Sequence, residues 1–132
     1  MNYTQTFISI ADDCKANNGV VPSVKSGKTK TVPVLQFEML CKPYVYTQED
    51  VLFQVHAQRK AINPKDQDAR AKFFEKPQPC LRTSGLGKRY GWGIHFDENG
   101  KAALYACDSD EYKQFQQNNS LQQLKAMRSK RE

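Results

Sequence analysis

The chain has 132 residues, 39% hydrophobic and 26% charged, a balance that predicts one globular domain able to bury a core without metals or disulfides. No stretch approaches the roughly 18 apolar residues of a membrane-spanning helix. The opening MNYTQTFISIADDC lacks the basic and apolar regions of a signal peptide, so we expect a cytoplasmic protein with no membrane association. The net charge of +6 permits an anionic partner without requiring one.

Residues 4–10, TQTFISI, alternate polar and apolar β-formers and predict a strand. Residues 17–31 hold two glycines and a proline and predict a long loop. In VLQFEMLC (34–41), Val34, Phe37 and Leu40 fall at helical spacing while Leu35, Phe37 and Met39 fall at strand spacing; a short helix is preferred. Thr47 and Asp50 mark a helix start, followed by a buried stripe of Val51, Leu52, Val55 and Ile62. Asn63-Pro64 predicts another start, with Ala69, Phe73 and Phe74 inward and an end before Pro77.

CLRTS (80–84) reads as a strand and residues 85–88 as a glycine-rich turn. Residues 89–96 and 101–107 read as two strands joined through Asp97-Glu98-Asn99-Gly100, where Asn-Gly predicts a type I′ hairpin. Asp108 and Glu111 open a helix with Tyr112 and Phe115 inward. Ser120 caps a last helical segment with Leu121, Leu124 and Met127 on one face. The expected fold is α+β: a small antiparallel sheet with helices packed on one face, one domain over 1–132, and a basic tail from about 125 that frays.

Several motifs fail. Ser26-Gly27-Lys28-Thr29 resembles the end of a phosphate loop, but Pro22 stands where the first glycine belongs. Gly85-Leu86-Gly87-Lys88 lacks the third glycine of a dinucleotide fingerprint. Cys14, Cys41, Cys80 and Cys107 form no C-x-x-C pair, so free thiols are expected. His56 and His95 lack metal-ligand spacing, and neither a metal nor a cofactor is implied. Three basic clusters stand out: Lys25/Lys28/Lys30, Arg82/Lys88/Arg89 and Lys125/Arg128/Lys130/Arg131.

Strand alternation puts Tyr90, Trp92, Ile94 and Phe96 on one face and Gly91, Gly93 and His95 on the other. Two readings of the glycines stand side by side. They mark a bulge or close packing, or they open a shallow anionic site over bare backbone, rimmed by Arg82, Lys88 and Arg89 with His95 as a polar contact. A nucleophilic pair of Cys80 and His95, with Arg82 stabilising a thiolate, is the enzymatic alternative.

QFEML (36–40), PYVYTQEDVLF (43–53), QPCLRTSGLGKRYGWGIHFDENGKAALY (78–105) and KAMRSKR (125–131) together resemble a family of small, mostly bacterial proteins of unknown function. The family pattern carries proline where this chain has Gly85, which implies a looser turn here. The resemblance implies a free-standing bacterial domain and brings no activity, substrate or catalytic residue. From the residues themselves, the leading expectation is a binding module for an anionic small molecule or nucleic acid, with a small thiol enzyme or a pocketless protein–protein adaptor as alternatives.

Overall fold

A computed structural model describes residues 2–24 and 26–129. Among these, four strands form one sheet in the order β3-β2-β1-β4: β1 (Thr6–Ser9), β2 (Trp92–Phe96), β3 (Ala102–Ala106) and β4 (Gln122–Lys125). β1 pairs antiparallel with β2, and β2 with β3. The fold class is α+β as expected, but β4 makes the sheet mixed, because it runs parallel to β1.

The last segment is therefore a strand where its leucine spacing predicted a helix. Leu124 and Ala126 turn the same side to the core, a period of two. The pairing partner lies at the opposite end of the chain, with Gln122 N–H donating to Gln5 O and Ala126 N–H to Ser9 O. With β2 and β4 on its flanks and helices on both faces, β1 is buried at all four positions, Thr6 and Ser9 included.

Helices α1 (Val32–Leu40) and α2 (Gln48–Lys60) cover one face. Val51 and Val55 of α2 and Leu35 and Leu40 of α1 join Ile8, Ile94 and Phe96 in the main core. Full burial of each large apolar side chain stabilises the fold by about 1.5–3 kcal/mol. α2 begins where Thr47 predicted: the Thr47 hydroxyl accepts from Asp50 N–H (3.2 Å) and the Asp50 carboxylate accepts from Thr47 N–H (3.0 Å). α3 (Gln67–Phe74) packs outside α2, with Phe73 against Phe53 and Arg70 bridging to Asp50 (3.0 Å). Its cap is Asp66, which accepts from Ala69 N–H, while Asn63 forms a turn two residues upstream of Lys65.

The opposite face carries one short helix, α5 (Asp110–Gln116), capped by Ser109. Tyr112 and Phe115 point inward as expected and meet Phe7 at ring-centroid distances of 5.1 and 5.4 Å. Residues 81–83 form a single 3-10 turn where a strand was expected, and α4 (Gly85–Lys88) is one helical turn capped by Ser84. Gly85 thus occupies the first helical position, where proline is also favoured.

The hairpin joins β2 to β3, but not through a type I′ turn. Gly100 alone takes positive φ (+77°), and the Asp97 carboxylate accepts from both Asn99 and Lys101 N–H at 2.9 Å. That is a type I turn followed by a left-handed glycine. Beyond it, the outer edge of β3 is covered where Tyr44 N–H donates to Ala102 O and Ala102 N–H to Tyr46 O.

Candidate functional site

Both glycines around Trp92 accommodate protein. Gly91 sits at φ +78°, and a side chain there would run into the carbonyl of Asn18. The loop carrying Asn18 lies along the strand: Val20 N–H donates to Tyr90 O, and the Trp92 indole donates to Val20 O, each at 2.8 Å. A Cβ on Gly93 would stand 2.6 Å from the Tyr112 ring and 2.7 Å from the Phe7 ring. The space that a ligand over Gly91 or Gly93 would need is filled. Close packing, one of the two readings of these residues, is what the geometry shows.

His95 lies on the α5 face beside Gly93. Its ring stacks on Phe115 (4.2 Å, 18°), and its Nδ1 meets the Tyr44 hydroxyl at 2.9 Å, which in turn meets the Tyr105 hydroxyl at 2.7 Å. Burial holds the imidazole below its ordinary pKa, only partly offset by Asp97, so it is neutral at pH 7. Burial and Tyr105 push the Tyr44 phenol up. Tyr44 also adopts φ +59°, rare for a bulky residue, which swings its ring over this face.

Cys80 is on the other side of the sheet. It bonds the Tyr3 hydroxyl, which burial and the thiol together push up to about 12 against the opposing pull of Arg82. Tyr3 packs on Phe96 (5.5 Å), whose side chain points away from that of its neighbour His95. The Cys80–His95 pair of the enzymatic alternative is therefore split by the sheet. Arg82 is also employed elsewhere: its Nε donates to Lys125 O (2.7 Å), and its carbonyl accepts from Met127 N–H. It ties the 3-10 turn to the β4 edge.

Arg89, the residue that follows α4, reaches a different place. A cleft of about 410 Å³ lies between α2 and residues 78–89, within the size range of small-ligand sites. Its apolar lining comes from Val32 and Pro33 of α1, Leu52 and Val55 of α2, Phe73 of α3 and Pro79. His56 and Phe73 form a ring pair in it, centroids 4.5 Å apart at 32°. A buried hydrogen bond from Ser84 to Gln36 (2.6 Å) fixes one wall, and Gln78 donates to Phe73 O (2.8 Å) at another.

Two guanidinium groups, Arg59 and Arg89, line this cleft, and among the described residues no carboxylate lies within 4 Å of either. Gly85 leaves room for Arg89 to fold back: a Cβ there would stand 2.9 Å from the guanidinium. Of the residues that the sequence put forward for ligand binding, only Arg89 lines the cleft. Sequence reasoning placed Phe73 inward on its helix and found no metal-ligand spacing for His56, but gave neither of them, nor Arg59, a role in binding. The available signal was the i, i+3, i+4, i+7 spacing of Leu52, Val55, His56 and Arg59, which places all four on one stripe of α2.

The basic clusters separate. Lys28 and Lys30 border a depression that shares Arg59 with the cleft. Lys125 and Arg128 converge on Asp12 (2.9 and 3.5 Å), whose carboxyl they hold below its ordinary range. Lys25, Lys130 and Arg131 lie outside the described residues, as does the end of the tail expected to fray. Among the described residues, no group of three or more His, Cys, Asp or Glu is placed to hold a metal ion, and no helix is long and apolar enough to cross a membrane.

The chain belongs to a family of unknown function, DUF6157, whose model matches residues 1–132. Comparison with curated proteins and with solved structures found no match.

Proposed function

We propose that the protein is a cytoplasmic bacterial binding module that holds an anionic ligand with a flat or apolar part, of the nucleotide class, in the cleft between α2 and residues 78–89. The observation that carries this reading is the pair of guanidinium groups, Arg59 and Arg89, without carboxylate partners at a cleft with an apolar lining. Guanidinium forks match phosphate oxygens in pairs. The His56–Phe73 ring pair and the α1 side chains offer the surface on which a base packs. The family model covers residues 1–132 and adds nothing about the ligand.

The thiol alternative loses support from the separation of Cys80 and His95. A pocketless adaptor does not account for two guanidinium groups at a cleft that, among the described residues, have no carboxylate within 4 Å.

Calorimetric titration with thymidine 5′-monophosphate tests the reading. Saturable binding is expected, weakened about tenfold or more by Arg59→Ala and by Arg89→Ala, since a charge-assisted hydrogen bond contributes about 1.5–3 kcal/mol. Arg82→Ala serves as a control and leaves binding unchanged, because its guanidinium is held at Lys125 O. Undiminished binding in the Arg59→Ala/Arg89→Ala double variant would remove the cleft from consideration.

A further inference from the structure

The cleft does not stand alone. Arg59 lines both the cleft and a neighbouring depression of about 550 Å³ bordered by Lys28, Thr29 and Lys30. Arg89 lines the cleft and two further depressions that do not share Arg59, one with Thr83 and Lys88, the other with Lys15 and Lys88. The shared arginines join these hollows into one track. Along it stand Lys28, Lys30, Arg59, Arg89, Lys88 and Lys15, from four separate parts of the chain. Two acids border it: Glu38, which engages Lys30 at 2.7 Å, and Asp13, which accepts from Ser129 N–H. The other five cations have no carboxylate within 4 Å among the described residues.

A mononucleotide carries one phosphate group and needs one arginine pair. It gives no role to cations on both flanks. A row of cations that continues past an apolar, ring-bearing centre on both sides matches a chain of phosphates whose bases stack in the middle. We infer that the track takes a single-stranded oligonucleotide, with the base of one nucleotide against His56 and Phe73 and its neighbours' phosphates running toward Lys28 at one end and toward Lys88 and Lys15 at the other. Thr29 adds a neutral hydroxyl along the way. A duplex is a poorer match, because its bases are turned inward and give the ring pair nothing to stack on. The inference rests on the cleft reading above and extends it from one phosphate to several.

The test uses the chain of residues 1–132 and four probes: thymidine 5′-monophosphate, a thymidine decamer, a decamer of abasic residues and inorganic polyphosphate of similar charge, each titrated across a salt series. The thymidine decamer is expected to bind at least tenfold more tightly than the monophosphate. For three or more neutralised phosphates, its log K falls with log salt at a slope of about −2 or steeper. Lys28→Ala combined with Lys88→Ala is expected to flatten that slope by about 1.4 and to leave the monophosphate untouched. Both lysines are on the surface, so an unchanged Trp92 spectrum is the check on folding. Equal affinity and slope for decamer and monophosphate would overturn the track while leaving the cleft reading intact. Loss of every probe would overturn both. Abasic decamer or polyphosphate binding as tightly as the thymidine decamer would overturn the assignment to nucleic acid.

Discussion

Replacing Gly93 with alanine places one methyl group where the structure has no room for it. The new carbon would stand 2.6 and 2.8 Å from two Tyr112 ring carbons and 2.7 Å from the Phe7 ring, against about 3.5–4.0 Å for relaxed carbon contacts. At least one ring must retreat by roughly 1 Å. Phe7 is fully buried on a strand flanked on both sides, and it already stacks on Phe115. The Tyr112 hydroxyl accepts from Ile10 N–H at 2.9 Å, a bond that the ring cannot keep if it moves away. Overpacking of this kind costs about 1–3 kcal/mol, and a hydrogen bond adds roughly 1 kcal/mol. The expected destabilisation is therefore about 2–4 kcal/mol. Urea unfolding followed through Trp92 measures it; with a slope of about 1–3 kcal/mol/M, the midpoint falls by roughly 1–2 M. A loss below about 1 kcal/mol would refute the packing account of this glycine. Binding of anions by the folded variant is expected to be unchanged, since the cleft lies on the other face of the sheet.

Three further outcomes follow from the same geometry. Thr47→Ala removes one half of the capping box on α2 and is expected to lower stability by about 1 kcal/mol, read from the urea midpoint; no change would mean the Asp50 half suffices. His95 is held below its ordinary value of 6.5 by burial, so the unfolded chain takes up a proton at a pH where the native one does not. Its contribution to stability is therefore complete above about pH 6.5 and falls away as the pH drops toward the native pKa; unfolding measured from pH 5 to 8 should show this slope, and His95→Gln should reduce it. Cys41 is the exposed thiol, while Cys14, Cys80 and Cys107 are half-buried and burial raises Cys107. A thiol reagent at neutral pH should label Cys41 first, and preferential labelling of Cys80 would revive a thiol chemistry that the fold argues against.

The features that sequence revealed are those whose causes lie within a few residues. Thr47 and Asp50 satisfy each other across one helical turn, so the start of α2 needs no knowledge of anything else. The Asn99-Gly100 hairpin was visible for the same reason. Its turn type was not, because the Asp97 carboxylate takes two backbone donors and holds the loop in a form that the dipeptide alone does not dictate. β4 shows the limit more sharply. Leu121, Leu124 and Met127 fit a helix, and Leu124 and Ala126 fit a strand; the choice is made by the β1 backbone, more than a hundred residues earlier in the chain.

The candidate site is the extreme of this pattern. Arg59 and Arg89 are thirty positions apart, and neither belongs to a recognisable motif. They share a cleft because α1 packs on α2 and because Ser84, the cap of α4, donates to Gln36 in the interior of α1. That buried bond, together with the one from Leu81 N–H to Gln48 of α2 and the core packing of Leu86, sets α4, and with it Arg89, beside the helix pair that presents Arg59. Local reasoning, in contrast, drew the eye to Gly91, Gly93 and His95, whose oddity is real but is resolved by Asn18, Tyr112 and Phe115. An unusual strand marks a place where the chain must fit closely against itself. The candidate binding site is built from ordinary residues, arginines of α2 and of the end of α4, that become distinctive only when packing leaves them, among the described residues, with no carboxylate within 4 Å.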